Sequence, residues 1–423
     1  MMSEPWIKLR NHSPETMNSI AELGKFFEQR AIPTYSRENY DKYLKKEGFV
    51  FNVPSIHITG TNGKGSTAKY LYEIYRSQGY KVGLFSSPST TTLFEMIQVN
   101  GKEISSEEYL SLFNRLEKGF EKYELSTFEM QTILAFTYFN ECGLDLAIVE
   151  VGMGGYIDAT NIFTPCLSII TSVSLEHTAY LGKSVSEIAD NKAGIIKRDI
   201  PVLLGKLEET AMFAIRQRAK ETESNIVIVD DFHNEVVEKN KITFDYRPYK
   251  GLELSTSATY QLKNAAIAVE AVKMLQDKFV VNEDAVRKGL KANLLPCRFD
   301  YIKPNIMVDG AHNPEAMKAL TETLAKTETR PIHVVFAAFR DKNIDQMLIS
   351  LGSISNDVVI TTFNHKRART EDEYFLYLGD YKFVEDYLAY IKELEAQYPE
   401  DLILVTGSLY FAGIVREALL NDK

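Results

Sequence analysis

The chain has 423 residues, which at roughly 150 residues per domain predicts two or three domains rather than one small core. Its hydrophobic fraction of 45% and charged fraction of 25% are ordinary for a globular protein. Acidic residues outnumber basic ones, 58 to 48, and the net charge of −10 argues against a protein that coats nucleic acid, although it does not exclude a local anion pocket.

The first strongly patterned stretch predicts a strand, a helix and a second strand. Residues 55–59 form a short, partly β-branched run that stops at a glycine-rich turn, as buried strands do. Apolar side chains then recur at helical spacing over 66–78, and 81–85 predicts the second strand. This βαβ pattern indicates a parallel sheet with a right-handed crossover.

Strand-like and helix-like patterns continue to alternate as far as residue 295. Between 226 and 254 they give way to short β-like pieces with turn residues, which indicate an antiparallel patch. Predicted helices cover 128–142, 185–196, 261–275 and 282–293, and predicted strands cover 144–151, 166–171 and 201–204.

A border near 294–296 precedes a second series of strands and helices. The sequence therefore predicts an α/β fold class with two domains, a larger one over 1–295 with a mostly parallel sheet and a smaller one over 296–423. Predicted strands of the second series cover 306–308, 332–336, 358–362 and 402–405, with helices beginning at 314, near 348 and at 409.

Three cysteines, Cys142, Cys166 and Cys297, stand far apart without a CxxC pair, which predicts neither a disulfide framework nor a structural zinc site. The start of the chain has no apolar stretch behind a basic region, and no window approaches about 18 uninterrupted apolar residues. We therefore expect a reduced, cytoplasmic protein without a membrane segment.

The turn after the first strand has the composition of a phosphate-binding loop, TGTNGKGST over 59–67. Glycines let successive backbone N–H groups point at phosphate oxygens, and the following helix brings its positive end to the same place. Lys64 supplies a mobile charge for the outer phosphates, and Ser66 a hydroxyl for magnesium. The strict pattern GxxxxGK[ST] fails at Ile58 and Gly65, so a tight glycine-rich connection is the alternative, but the strand-turn-helix setting favours nucleotide binding.

The string from 60 to 67 resembles the phosphate loop of the folylpolyglutamate synthase and dihydrofolate synthase family, which belongs to the Mur ligase superfamily of ATP-dependent amide-forming ligases. Gly65, which separates Lys64 from Ser66, favours this branch because other Mur-type ligases typically lack it. Further matching motifs follow in order along almost the whole chain, at 86–88, 149–155, 158–161, 174–178, 191–197, 296–299, 309–314 and 406–410.

The resemblance implies a P-loop ATPase domain of the Mur ligase central type over 1–295 and a Rossmann-like ligase domain over 296–423. It also implies that a carboxylate of (tetrahydro)folate takes the γ-phosphoryl group of ATP in the presence of Mg²⁺. The amine of L-glutamate then attacks the acyl phosphate, which releases ADP and phosphate. This chemistry mainly demands neutralisation of crowded negative charge. The implied partners are these small molecules, with no nucleic acid or membrane, and the implied state is a monomer.

The resemblance assigns roles to individual residues. It implies that Lys64, Lys192 and His177 take part in catalysis, and that Ser66, Glu150 and His177 bind magnesium. Residues 341–342 and 408–410 are expected to line the amino-acid side of the cleft, without individual roles. The residues implied to bind ATP are Gly60, Thr61, Asn62, Gly63, Lys64, Gly65, Ser66, Thr67, Asn264, Arg298, Asp309 and His312. Those implied to contact the acid substrate are Ser87, Pro88, Asp158 and Thr160.

Simple chemistry supports these roles unequally. Glu150 ends an apolar strand at the sheet edge where ligands bind, with a solvated glutamate as the alternative. Magnesium prefers oxygen ligands, so without the family resemblance we would interpret His177 as a surface turn residue. From its residue type alone, Lys192 is expected to be a solvated charge, whereas the resemblance places it at the lysine that the superfamily carbamylates. Carbamylation requires a neutral amine, which burial would favour. The guanidinium of Arg298 suits phosphates, and helix capping is the alternative role for Asn313.

The sequence departs from the family pattern at four positions. Ser89 follows the Ser-Pro motif where the family commonly has histidine, and Met96 stands where an arginine is usual. Tyr156 replaces the arginine after the double glycine, and Tyr260 replaces a histidine. We expect these changes to spare the ATP-binding residues and to lie mostly near the pterin, so they concern the identity of the acid substrate.

Several other functions are alternatives to folate glutamylation. They are addition of glutamate to dihydropteroate, a Mur-type ligase for another carboxylic acid, a nucleotide-dependent switch and a small-molecule kinase. The combination of Glu150, His177 and Lys192 with a second domain argues against a switch. Trapping of an acyl phosphate by hydroxylamine would argue against a kinase.

Overall fold

The computed structural model of the protein describes residues 19–29, 37–90, 92–292 and 295–421. Its helices are α1 (Ile20–Gln29), α2 (Glu38–Lys46), α3 (Lys64–Gln78), α4 (Ser106–Lys122), α5 (Thr127–Cys142), α6 (Val185–Ala193), α7 (Glu209–Glu221), α8 (Gln261–Met274), α9 (Glu283–Lys291), α10 (Pro314–Thr327), α11 (Ile344–Gly352), α12 (Tyr387–Gln397) and α13 (Leu409–Asn421).

The strands form three sheets. They are β1 (Ser55–Thr59), β2 (Val82–Phe85), β3 (Ile97–Val99), β4 (Lys102–Glu103), β5 (Leu146–Glu150), β6 (Leu167–Ile170), β7 (Val202–Leu204), β8 (Ile226–Ile228), β9 (His233–Glu238), β10 (Lys241–Tyr246), β11 (Tyr249–Leu254), β12 (Asp300–Lys303), β13 (Ile306–Val308), β14 (Ile332–Phe336), β15 (Asp357–Thr361), β16 (Lys382–Val384) and β17 (Leu402–Thr406).

An eight-stranded sheet organises the first part of the chain, in the order β4-β3-β2-β5-β1-β6-β7-β8. All its pairs are parallel except those made by the edge strands β3 and β4. Alternate side chains of β5 enter two separate hydrophobic clusters, one shared with α3, α8 and α9 and the other with α4 and α5. The sheet is therefore buried between two helical layers, as a parallel sheet requires.

The six-stranded sheet of the C-terminal part has the order β12-β13-β17-β14-β15-β16, with only β12 antiparallel to its neighbour. The antiparallel patch predicted over 226–254 is confirmed for β9, β10 and β11, which form a separate three-stranded sheet in the order β11-β10-β9. It is wrong for residues 226–228, because β8 pairs parallel with β7 in the larger sheet. Ligands bind outside the carboxyl ends of strands in open α/β sheets. Here the carboxyl ends of β13 and β17 lead to Asp309 and Ser408, which line a common cleft.

The predicted α/β class is confirmed, and the predicted strands and helices match the observed ones to within a few residues. The division at 294–296 stays a prediction, partly because residues 293 and 294 lie outside the described residues. The expectation about the start of the chain, that no apolar stretch follows a basic region, concerns residues that also lie outside the described ones. Helices α1, α2, α4, α7 and α12 were not predicted. Within the described ranges, no helix has the length and apolar character needed to cross a bilayer.

Candidate active site

The loop between β1 and α3 is held by the turn that follows β6. The backbone N–H of Thr61 donates to the carbonyl of Ser172 (2.9 Å), and the N–H of Asn62 donates to Ser172 Oγ (2.8 Å). Gly63 precedes α3 with a φ of +85°, and a Cβ there would collide with the amide oxygen of Asn264. The first-turn N–H groups of a helix have no acceptor within it, so those of α3 are suited to bind phosphate.

Lys64 lies within this loop. Its ammonium donates to the carbonyls of Gly60 (2.9 Å) and Thr61 (3.2 Å). The side chain of Thr67, in the same first turn, is fully buried, and its Oγ1 has no hydrogen-bond partner within the described part of the chain. The cationic side chain of Lys64 at a helix N-terminus fits an anionic ligand such as a triphosphate, whereas the buried hydroxyl of Thr67 lies behind this surface.

Glu150 fits a metal ligand. Its carboxylate is 4% exposed at the end of β5, and Oε2 accepts only a weak 3.2 Å hydrogen bond from the N–H of Ser87. No ammonium, guanidinium or imidazole nitrogen of the described residues lies within 4 Å of it, and burial raises its pKa to about 7 despite the charges of Lys64 and Arg298. A buried carboxylate without an ion pair is stabilised by a cation.

Ser66 provides a hydroxyl oxygen in the same cleft as Glu150. A Cβ added at the intervening Gly65 would lie 3.2 Å from Glu150 Oε2, so the loop passes directly over the carboxylate. Among the described residues, no three His, Cys, Asp or Glu side chains form a metal cluster. Magnesium typically uses one or two protein oxygens together with substrate phosphates, so a carboxylate and a hydroxyl fit it.

Lys192 is buried rather than solvated. It lies on α6 with 2% of its surface exposed and lines the same cleft as Glu150. Burial, aided by the charge of Lys64, lowers its pKa to about 7. A substantial fraction of this amine is therefore neutral near neutral pH.

Glu176 lines the cleft, although the sequence analysis assigned it no role. Its Oε1 lies 3.2 Å from His312 Nε2, 3.6 Å from His177 Nε2 and 3.7 Å from Lys342 Nζ, so it joins both parts of the chain. Burial alone would raise the pKa of Glu176, but the hydrogen bond and charge of His312, with Lys64, hold it well below its usual range. Burial lowers the pKa of His177 to about 4, which keeps it neutral, as a metal ligand must be.

The C-terminal part forms the opposite wall of the cleft. Asp309 accepts hydrogen bonds from the backbone N–H groups of Phe299 (2.7 Å) and Ala311 (2.8 Å). Asn313 caps α10 and also donates to Asn62 Oδ1 (2.9 Å), so its capping role and a contact with the phosphate loop coexist.

The cleft between the two walls has a volume of 520 Å³, within the range of small-molecule sites. It brings together most of the residues that the sequence implied. Those lining it are Gly60, Thr61, Asn62, Gly63, Lys64, Gly65, Ser66, Ser87, Pro88, Glu150, His177, Lys192, Asn264, Arg298, Asp309 and His312.

Asp158, Thr160 and Thr67 are not among the lining residues. Asp158 is 3% exposed and accepts hydrogen bonds from the N–H groups of Met153 (2.8 Å) and Thr160 (2.9 Å). Thr160 is fully buried, with His57 Nε2 at 2.9 Å from its hydroxyl. Asp158, which is hydrogen-bonded to Thr160, therefore supports the loop around Met153, a residue that lines the cleft. A direct contact of Asp158 or Thr160 with the substrate stays a prediction.

The four departures from the family pattern do not share one location. Ser89 and Tyr260 line the cleft, whereas Met96 is buried in the α4–α5 cluster and Tyr156 is 66% exposed outside the cleft. We expected these four residues to have no contact with the predicted ATP-binding residues. This is wrong for Tyr260, because its hydroxyl donates to Oδ2 of Asp309, a predicted ATP-binding residue, at 3.0 Å.

Comparison with known families accounts for both parts of the chain. Residues 58–272 match the Mur ligase middle domain, and residues 297–409 match the Mur ligase glutamate ligase domain. These two stretches contain all the implied ATP-binding and metal-binding residues.

Individual relatives narrow the comparison. The chain is 32% identical over 389 residues to a dihydrofolate synthase/folylpolyglutamate synthase of Bacillus subtilis, covering 87% of this chain and 90% of the relative. A folylpolyglutamate synthase of Mycobacterium tuberculosis complexed with ADP superposes with a TM-score of 0.88 at 27% identity, over 95% of this chain and 98% of that one. FolC of Escherichia coli in complex with DHPP and ADP superposes with a TM-score of 0.86 at 28% identity, over 96% of this chain and 99% of that one.

Proposed function

This chain belongs to the folylpolyglutamate synthase and dihydrofolate synthase family of Mur ligases, and from that premise we propose that it adds L-glutamate to a folate with consumption of ATP. Membership makes it a ligase that forms carbon–nitrogen bonds. The observation that carries the proposal is the single cleft in which the phosphate loop, Glu150 and Lys192 face Arg298, Asp309 and His312.

In the proposed reaction, ATP supplies the γ-phosphoryl group that activates the carboxylate, and Mg²⁺ neutralises charge on the phosphates. Ser66 and Glu150 would hold the ion, with His177 as a further ligand. The first turn of α3 binds and orients the phosphate oxygens, and Lys64 offsets the charge of the transferred group. Arg298 acts from the opposite wall, where its guanidinium can bind two oxygens at once.

The two walls are held together by direct contacts between polar side chains. Asn62 and Asn313 join the phosphate loop to α10, and Glu176 joins His177 to His312 and Lys342. An acyl phosphate is sensitive to water, so a cleft built from both parts of the chain protects it until glutamate attacks.

The substrate assignment is tested by coupled ADP release. We expect release that depends on both L-glutamate and tetrahydrofolate, with Ser87, Pro88 and Ser89 on the side of the acid. Dihydropteroate in place of tetrahydrofolate tests dihydrofolate synthase activity in the same assay. Turnover with another acid and none with any folate or dihydropteroate would overturn the proposal, as would ADP release that is independent of both acid and amine.

We further propose that Lys192 is carbamylated, because its burial supplies the neutral amine that carbon dioxide requires. Replacing it with alanine should lower kcat by roughly 10- to 100-fold, the cost typical of removing a group that orients a metal site. Short-chain carboxylates should restore part of the activity. Lys183→Ala, an exposed change just before α6, is the control and should leave kcat unchanged.

Native mass spectrometry in bicarbonate buffer provides the direct measurement for Lys192. Active protein should carry the mass of one added carbon dioxide, and Lys192→Ala should not. Fully active protein with an unmodified lysine would remove carbamylation while leaving the ligase assignment intact.

A further inference from the structure

The segment just before α8 is anchored in the C-terminal part of the molecule although it precedes the predicted border. Ala258 is fully buried in the hydrophobic cluster formed by β13, β14, β17 and α10, and the ring of Tyr260 packs against the same cluster. Between them, Thr259 Oγ1 lies 2.8 Å from Thr323 Oγ1 on α10. The start of α8 is therefore fixed to the opposite wall of the cleft.

Tyr260 contributes a specific polar contact at this junction. Its hydroxyl donates to Asp309 Oδ2 (3.0 Å), the oxygen that also accepts from the N–H of Phe299 (2.7 Å). Three donors to Asp309 lie among the described residues, and the phenol of Tyr260 is the one that precedes the predicted border. Burial raises the pKa of Tyr260 well above its ordinary value, so the phenol keeps its proton and donates.

The next residue holds the phosphate loop. Gln261 is fully buried, and its Nε2 donates to Ser66 Oγ (3.2 Å) while its Oε1 accepts from Asn264 Nδ2 (2.8 Å). Asn264 in turn fills the space beside Gly63. Two consecutive residues, Tyr260 and Gln261, thus connect Asp309 on one wall to the first turn of α3 on the other.

We propose that Tyr260 is a positioning residue for the nucleotide, which fixes Asp309 at the correct distance from the phosphate loop through its phenolic hydroxyl. The inference rests on the proposed function, because it presumes that nucleotide binds in the cleft. Tyr260 does not need to touch the nucleotide. Its hydrogen bond sets the separation of the two walls, and a bound nucleotide must contact both walls at once.

The test compares Tyr260→Phe with the wild-type chain. The change keeps the packed ring and removes only the hydroxyl, leaving a buried carboxylate with one donor fewer. We expect the Kd for ADP, measured by calorimetry, and the KM for ATP to rise roughly tenfold or more, the effect of losing a hydrogen bond to a charged group. Because bound nucleotide restores the separation of the walls, kcat at saturating ATP and the KM for glutamate should change by less than about threefold.

Tyr246→Phe is a matched control. Tyr246 is buried, whereas Tyr260 is partly buried, and it likewise donates to a carboxylate, Glu270 Oε2 at 2.7 Å, but it lies outside the cleft lining. Its loss should lower the melting temperature without changing the Kd for ADP. In the Asp309→Ala background, where the acceptor is missing, Tyr260→Phe should lose its effect on ADP binding, since interacting residues give non-additive changes.

Distinct outcomes overturn distinct claims. If Tyr260→Phe lowers only the melting temperature and binds ADP as the wild type does, the hydroxyl is merely structural and the inference is wrong. Should Tyr260→Phe fail to fold, Tyr260→His, which keeps a ring N–H donor, replaces it and is also made in the Asp309→Ala background. If the comparison of the two backgrounds shows that the imidazole does not interact with Asp309, and Tyr260→His still binds ADP as tightly as the wild type, the inference is also wrong. Absence of ADP binding in the wild type would overturn the proposed function itself.

Discussion

Replacing Lys64 with alanine is expected to reduce kcat by roughly 10³- to 10⁵-fold while the protein remains folded. The ammonium lies within the phosphate loop, hydrogen-bonded to the carbonyls of Gly60 and Thr61. Phosphoryl transfer to a carboxylate brings negative charge onto the transferred group, and a cation fixed beside it stabilises the transition state more than the ground state. The measurement is steady-state ADP release at saturating ATP, acid and glutamate.

The fold should tolerate this change, because Lys64 lines the cleft, belongs to none of the hydrophobic clusters and forms no ion pair with another described residue. Its melting temperature should stay near that of the wild type. Lys288→Ala, which removes an exposed lysine on α9, is the control and should leave kcat unchanged. A Lys64→Ala enzyme with wild-type turnover would show that the loop does not serve phosphoryl transfer.

The phosphate loop could be predicted from sequence because all of its determinants are local. Its glycines, Lys64 and the hydroxyl of Ser66 lie within a few residues, between a strand and a helix whose patterns are equally local. Glu150 could be placed for a related reason, since the end of a buried parallel strand lies at the edge where ligands bind. The register of β5 against β1, which puts Glu150 beside Ile58, confirms this placement at the edge.

The sequence of α4 contains two signals that are typical of a helix. Its buried residues Tyr109, Leu112, Phe113 and Phe120 recur at helical spacing, and Ser105 with Glu108 forms a capping box at its start. This helix could therefore have been predicted. The exposed face is rich in charge, which makes the segment resemble a polar loop when composition is considered without periodicity.

Contacts between distant segments could not be predicted in the same way. Glu176 lies next to His177 in sequence, but its importance comes from His312 and Lys342, 136 and more residues away. The sequence shows Tyr260 only as a departure from the family pattern. Its contact with Asp309 depends on how the two larger sheets pack against each other. Such contacts depend on the packing of sheets against each other, for which a single sequence provides no local periodicity.

Glu150→Gln is expected to lower kcat by roughly 10³-fold and, in metal-free buffer, to make the protein more stable. The loss of activity follows from removal of the charged metal ligand without change of shape. The gain in stability follows from the raised pKa of Glu150, about 7 in the folded chain against 4.5 for an ordinary glutamate. The folded state binds this proton more tightly than the unfolded state does, so ionisation of the carboxylate destabilises the fold.

The sign of the pH dependence follows directly. Below pH 4.5 the carboxylate is protonated in both states, and Glu150 imposes no penalty. As the pH rises from 4.5 to about 7, the unfolded state loses its proton first, and the free energy of unfolding of the wild type falls by up to about 3 kcal/mol. Glutamine has no such proton, so the variant should exceed the wild type by that amount above pH 7. Urea unfolding across this range measures the difference.

Magnesium should reverse the order of stability, and this separates a metal ligand from a merely strained carboxylate. A cation that binds ionised Glu150 stabilises only the folded wild type, so adding Mg²⁺ with ADP should raise its melting temperature more than that of Glu150→Gln. Glu141→Gln makes the same chemical change at an exposed position and should alter neither kcat nor the pH dependence. If Mg²⁺ and ADP stabilise Glu150→Gln as much as the wild type, the ion is held elsewhere, and the raised pKa reflects burial without a function in metal binding.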